Sequence, residues 1–333
     1  MQINIDKFYK NKTILITGGA GYLGSSLSNK FSNIDCNLRV LGSSSKSWMP
    51  RNSIAKISLY QGDVSDYNFW FQILNNVDYI FHLASLDGVQ DYKREIEVNS
   101  LSMLHLLNAI NVKKLSPKII FSSSANIFGN VSNVPVNETF TDNPQSIWSI
   151  NKLSAEKYLE LYYRQYNVDS VTLRLPNIYG APANMTVSNR VVINNVIYNA
   201  LNDNAIFLYK NQNCLRDYIF IDDAVNALLS AGTLKSTESK GMFYVIGSEE
   251  RKTISQAWHY IAKKTEEKLG KKIELKKDFN HSLSVMEMRD FVADSSAFRS
   301  ATGWKSKVNF QQGIELTVNH IWKNLKRKNK KYD

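Results

Sequence analysis

A short apolar run that empties into glycines constrains this chain more than any other feature. Thr13–Thr17 (TILIT) is followed at once by Gly18, Gly21 and Gly24 in a G-x-x-G-x-x-G spacing, where the helical periodicity of Gly24–Asn33 begins. A strand that turns immediately into a helix needs residues without a Cβ where the backbone doubles back, and the free N–H groups of the new helix attract an anion such as a pyrophosphate. A glycine trio alone also fits an ordinary turn. The setting between a first strand and a first helix favours the dinucleotide reading.

Strand and helix patterns alternate through the first half. Further apolar runs stand at Leu38–Leu41, Ile57–Tyr60, Val77–Ala84, Lys118–Ser122 and Val171–Leu175, with helical periodicity at Gly24–Asn33, Asp66–Leu74, Asn99–Ile110 and Asp142–Arg164 between them. This predicts an α/β fold: a Rossmann-type doubly wound parallel sheet with helices on both faces. After Pro176 the pattern loosens. Helices are expected over Arg190–Ala200, Asp222–Ala231 and Ile254–Leu269, with short β runs at Ala205–Tyr209 and Met242–Ile246. No linker separates the halves, so the expected division is a dinucleotide-binding domain (1–176), a smaller interlocked C-terminal α/β substrate domain (177–322) and a basic tail (323–333).

A formal charge of +11 over 333 residues invites a nucleic-acid or anionic-membrane reading. Its distribution argues against both. Residues 323–333 and 251–280 each carry a net +5, leaving the remainder at +1. Both basic segments read as solvated faces, and the aromatic residues form no stacking platform. The five histidines lack ligand spacing, so no metal site is expected; His82, inside an apolar strand, reads as a satisfied core residue. No apolar stretch approaches membrane-span length. Two cysteines, Cys36 and Cys214, and a polar N-terminus without a signal-like core make a reducing, cytoplasmic setting the expectation.

Taken together, TGGAGYLG (17–24), Gly62-Asp63-Val64, His82-Leu83-Ala84, Asn99, Phe121-Ser122-Ser123-Ser124, Lys152, LRLPNIYG (173–180), RDYIFIDDAV (216–225) and TGWKSKVNFQQGI (302–314) resemble the extended short-chain dehydrogenase/reductases. More narrowly, they are similar to the nucleotide-sugar epimerase/dehydratase/reductase branch. The resemblance spans nearly the whole chain and implies an NAD(P)-dependent oxidoreductase or epimerase. Such an enzyme acts on a nucleotide-diphosphate sugar by hydride transfer through a keto-sugar. It also implies a homodimer. For the cofactor it implies Gly18, Gly21, Tyr22, Leu23 and Gly24 at the pyrophosphate and Asp63 and Val64 beside adenine. Leu83, Ala84, Ser85, Asn99, Ser122, Lys152 and Pro176 would line its path. For the substrate it implies Ser124, Asn126 and Asn177, with Arg216 and Arg289 as phosphate-side forks. Asp217, Asp222 and Asp223 read instead as helix-start acids that cap or pair.

Two positions depart from the family pattern. An acid that would accept from a ribose 2′-OH is absent after the second strand, where Gly42 is followed by Ser43, Ser44, Ser45 and Lys46. With Arg51 nearby, this favours NADP(H) over NAD(H); a polar loop with no ribose contact is the alternative. The second departure concerns catalysis. The family's Ser/Thr, Tyr and Lys set is represented by Ser124 and Lys152, but Trp148 occupies the tyrosine position four residues before the lysine. An indole N–H donates a hydrogen bond and cannot act as a base near neutrality. Three alternatives follow: a substitute acid/base such as Lys152, a Ser124-held water or a carboxylate from another loop; chemistry in which Trp148 only stacks; or a catalytically degenerate binder or partner subunit. Retention of Ser124 and Lys152 favours an active enzyme. Ala125 and Asn126 stand where 4,6-dehydratases carry Asp-Glu, which argues against that branch.

Overall fold

The computed structural model describes residues 3–43, 50, 52–87, 91–182, 191–239 and 241–329. The apolar runs become β1 (Thr13–Thr17), β2 (Asn37–Gly42), β3 (Lys56–Gln61), β4 (Tyr79–His82), β5 (Lys118–Ser124) and β6 (Ser170–Leu175). They form a parallel sheet with β1 between β4 and β2, so the chain winds outward in two directions from β1. Period-two alternation sends Ile14 and Ile16 into a core with Leu27, Phe31, Ala224 and Leu228, while Leu15 faces Trp70, Met103, Leu106 and Leu159. Both faces of the sheet are thus covered, as the continuous apolar strands require.

Three expectations change. The helix expected from Asp142 starts at Ile147, because Ser146 and Ser149 form a reciprocal cap that fixes its first turn; Asp142 instead pairs with Arg174. The segment expected as one helix from Asn99 begins at Tyr92 and contains a wider π-type turn, Glu97–Leu101, before Ser102–Val112. That turn carries the Asn99 side chain. The run expected at Met242–Ile246, placed beyond Pro176 in the chain, is a strand Phe243–Val245 that adds to the main sheet in parallel beside β6. The helix Ile221–Gly232 likewise packs its apolar residues into the core containing Ile120, Val171 and Leu173.

Most other distal elements gather at the carboxyl ends of the strands. Asn177–Tyr179 pairs with Tyr218–Phe220, Ala205–Leu208 with Glu274–Lys277, and Leu215–Arg216 with Lys252–Thr253. The helices Val192–Asp203, Ile254–Leu269 and Phe310–Asn329 share a second core around Ile197, Trp258, Phe310 and Ile314. The cleft between this cluster and the strand ends is where a doubly wound sheet presents its ligand site.

Candidate active site

The glycine turn is packed too closely for any other residue. Gly18 has a φ of +64°, and a Cβ there would stand 2.9 Å from the backbone of Ala84. A Cβ on Gly24 would lie 2.0 Å from the Gly18 carbonyl oxygen. Gly21 precedes the helix Tyr22–Phe31 without a side-chain cap, leaving its first N–H groups open to an anion. Tyr22 reaches away to donate to the Gly180 carbonyl at 2.8 Å. The Thr17 hydroxyl oxygen accepts from Leu83 N–H and Ala84 N–H, drawing the loop after β4 against the turn. This cradle fits a dinucleotide pyrophosphate. His82 is a satisfied core residue: it lies 3.1 Å from Thr17 Oγ1, and burial, with Lys152 nearby, pushes its pKa down to about 3.

Beside the turn, Asp63 accepts from Ser65 and forms an ion pair with Arg94, a partner the sequence did not suggest. Against the upward effect of burial, the hydrogen bonds from Ser65 and then the Arg94 guanidinium hold its carboxyl below the ordinary range. Val64 packs into the core with Trp70. Gly42 ends β2 and Ser43 is exposed; Ser44, Lys46 and Arg51 lie outside the described residues.

At the end of β5 each serine has a different partner. The Ser122 carbonyl accepts from Lys152 Nζ at 3.1 Å. The Ser123 hydroxyl donates to Glu156. Ser124 Oγ accepts from Asn126 N–H at 3.1 Å, which leaves its proton available to a ligand. Lys152 is 3% exposed and sits 4.8 Å from the Phe121 ring centre and 5.8 Å from that of Trp148. Burial pushes its pKa down to about 8, with Glu156 and Asp87 opposing the shift. The Trp148 indole N–H is committed elsewhere: it donates to Ser85 Oγ at 3.1 Å, and that hydroxyl donates to Asn99 Oδ1 at 2.9 Å. Asn99 also holds both backbone groups of Leu86.

Trp148, Ser124, Asn126, Pro176, Asn177 and Tyr218 line a cavity of about 230 Å³. Asn126, Asn177 and Tyr218 also border a second one of about 400 Å³ that contains Arg216 and Arg289. Both arginines are buried and bonded to neutral oxygens. Arg216 donates to the carbonyls of Leu215, Glu287 and Arg289, and Arg289 donates to Ala125 O at 3.1 Å and Asn126 Oδ1 at 2.5 Å. Burial, then Arg216, pushes Arg289 down to about 9. Two buried guanidiniums with no carboxylate partner among the described residues make this cavity attractive to a polyanion. Phe207 and Tyr209 also line this cavity and stack with ring centres 6.4 Å apart, and His281 stacks on Tyr209 at 4.4 Å. This stack was missed because Tyr209 and His281 are far apart in the chain and follow two strands, Ala205–Leu208 and Glu274–Lys277, whose pairing is not legible in the sequence.

Of the three acids near Arg216, Asp222 and Asp223 stand in the first turn of the helix Ile221–Gly232, as expected of helix-start acids, but none is its N-cap. Phe220, without a capping side chain, precedes the helix Ile221–Gly232. Asp217 is buried and accepts from Ser248, Glu249 and Ala293, tying three segments together. Asp223 accepts from Ser306, Lys307 and Val308, tying that one segment to the helix. Among the described residues no cluster of metal-ligating side chains occurs, and no helix is long and apolar enough to cross a membrane.

Residues 14–247 match the NAD dependent epimerase/dehydratase family, and the chain belongs to that family. It is 24% identical over 318 residues to a putative UDP-glucose 4-epimerase of Methanocaldococcus jannaschii, covering 93% of this chain and 99% of that one. It is 25% identical to UDP-glucuronic acid decarboxylase 6 of Arabidopsis thaliana, covering 93% and 88%. Among solved structures, UDP-glucose 4-epimerase with UDP-glucose from Thermotoga maritima superposes with a TM-score of 0.81 at 26% identity, covering 94% of this chain and 99% of that one.

Proposed function

We propose that the protein is an NAD(P)-dependent enzyme that epimerises a UDP-linked sugar, with Lys152 as its proton-transfer group. The observation that carries this reading is the common border of the two cavities. Ser124 opens onto the smaller one, Arg216 and Arg289 onto the larger, and Asn126 and Asn177 border both. A nucleotide sugar laid along them puts its diphosphate on the arginines and its sugar at Ser124. The stacked rings of Phe207 and Tyr209 then offer a surface to the base.

The residues of the glycine turn would hold the cofactor, together with Leu83, Ala84, Ser85, Asn99, Ser122 and Pro176, with Asp63 and Val64 toward the adenine. When bound, it accepts and returns a hydride at a sugar carbon. Ser124 donates to the oxygen on that carbon. Lys152, whose neutral form is within reach at ordinary pH, exchanges the proton, with the Ser124 hydroxyl as the bridge. Trp148 stacks over the site and latches the Ser85–Leu86 loop. An absent acid after β2 favours NADP(H) over NAD(H). The cofactor side is residues 1–176 together with the helix Ile221–Gly232 and the strand Phe243–Val245, and the rest of 177–322 forms the nucleotide-sugar side. Exposed Ile147, Ile150 and Leu161 on the helix Ile147–Tyr166 support pairing of two copies. One observation favours a non-turnover binder as the second reading: the Trp148 N–H is spent on Ser85.

Ligand-induced thermal shifts test the proposal. UDP-glucose should raise the melting temperature, and NADPH should raise it more than NADH at equal concentration. No shift with UDP, UDP-glucose or either cofactor would refute the reading.

A further inference from the structure

A buried ionic string lies behind the serines and belongs to neither cavity. Arg174 is 0% exposed on β6, directly opposite Ser123 in the sheet register. Its Nε and one Nη bond both oxygens of Glu156, at 2.6 to 3.1 Å, the fork arrangement of an ionised carboxylate. Its other Nη reaches Asp142 at 2.6 Å. The guanidinium carbon lies 3.6 Å from the Phe243 ring centre and 4.7 Å from that of Phe128, two rings inclined at 64° to each other. Glu156 stands four residues after Lys152 on the same helix and also accepts from the Ser123 hydroxyl. Successive turns of one helix therefore dock on successive residues of one strand end: Lys152 on the Ser122 carbonyl and Glu156 on the Ser123 hydroxyl. Ser124 is the next residue.

We propose that Glu156 and Arg174 are positioning residues: they clamp the helix Ile147–Tyr166 to the ends of β5 and β6 and so set the separation of Lys152 from Ser124. A single hydrogen bond from Lys152 to Ser122 leaves a long, flexible side chain poorly fixed. The bidentate pair one turn on removes the freedom of the helix to slide or rotate over the strand. Phe243 and Phe128 wall in the guanidinium and limit the freedom of its fork. Lysine in place of Arg174 keeps the charge and loses the fork.

The test reads the titration of Lys152 through the emission of Trp148, whose ring lies beside the ammonium, taken as the difference between each protein and its Trp148→Phe counterpart. The groups that face or adjoin Lys152 are Glu156 on its own helix, Asp87 after β4, His82 on β4, Glu95 through Asn151, and Arg174 with Asp142 behind Glu156. Glu156→Gln removes a charge that supports the ammonium, so the midpoint should fall; this calibrates the signal. Ser123→Ala and Arg174→Lys leave every formal charge in place, so a moved midpoint in them reports displacement of Glu156 relative to Lys152. The expected result is a moved midpoint in both. With UDP-glucose as the probe substrate, kcat should fall about tenfold or more while KM stays within about twofold. An unmoved midpoint in Ser123→Ala and Arg174→Lys overturns the proposal, whatever happens to turnover. Only the turnover measurement rests on the proposed function: moved midpoints in a protein that turns over no nucleotide sugar would refute that reading and leave the clamp standing. Ser123→Ala, which deletes one hydroxyl, carries the test if Arg174→Lys does not fold.

Discussion

Trp148 stands four residues before Lys152, where the family resemblance implies a tyrosine, and the neighbouring contacts show what its indole does. Trp148 donates to Ser85, Ser85 donates to Asn99, and Asn99 holds Leu86. Trp148 stood out in the sequence only against the motif that the family resemblance implies. Its latch was not legible there, because it joins residues from three separate segments. Lys152 has a measurable energetic signature. Burial lowers its folded pKa to about 8 from an ordinary 10.5, so the unfolded chain binds the proton more tightly between those values. The charged lysine therefore costs stability below about pH 8, and the cost is relieved as pH rises toward 10.5. Lys152→Met should stabilise the fold at pH 7, by at most about 3 kcal/mol, and the gain should shrink by about pH 10. Urea melts at the two pH values check this; an equal gain at both would contradict it.

At the scale of elements, the first turn and the strands were readable because apolar runs bounded by glycine and polar residues leave little choice. β1 agrees end to end with its apolar run, and β2 to β6 surround or overlap theirs. The strand Phe243–Val245 was visible as a run, but its destination was not, since three residues carry no information on which sheet they join. The start of the helix Ile147–Tyr166 was misplaced because its cap pairs two serines rather than a serine with a glutamate. The glycine turn offers the clearest prediction here. Gly24→Ala places a methyl group 2.0 Å from a backbone oxygen that cannot move without opening the turn. It should cost about 1–3 kcal/mol in thermal or chemical melts and weaken cofactor binding at least about tenfold by fluorescence titration. Wild-type affinity in Gly24→Ala would mean that the turn does not hold the pyrophosphate.

For the whole molecule, two arms of chain converge on one cleft. The glycine turn and the strand ends come from the first half, while Arg216, Arg289 and the aromatic stack come from the second. The family signature reveals both arms, but sequence spacing cannot say that Asn126 and Arg289 touch. The net charge gains a location at this scale. The basic residues Lys263, Lys271, Lys272, Lys323, Lys326 and Arg327 are exposed on or beside the helices Ile254–Leu269 and Phe310–Asn329. A solvated face of this kind should bind heparin weakly and elute well below physiological-range salt equivalents of a specific polyanion site; tight, salt-resistant retention would contradict that assignment.

The central claim is that the clustered residues perform proton-coupled sugar chemistry with Lys152 in place of tyrosine. The most direct measurement is conversion of UDP-glucose to its C4 epimer as a function of pH, with NAD(H) and NADP(H) supplied. Turnover should rise as Lys152 loses its proton, with a midpoint near its pKa of about 8. It should fall about a hundredfold or more in Lys152→Met and be substantially retained in Trp148→Phe. Turnover unchanged in Lys152→Met, or a pH profile without that limb, would contradict it.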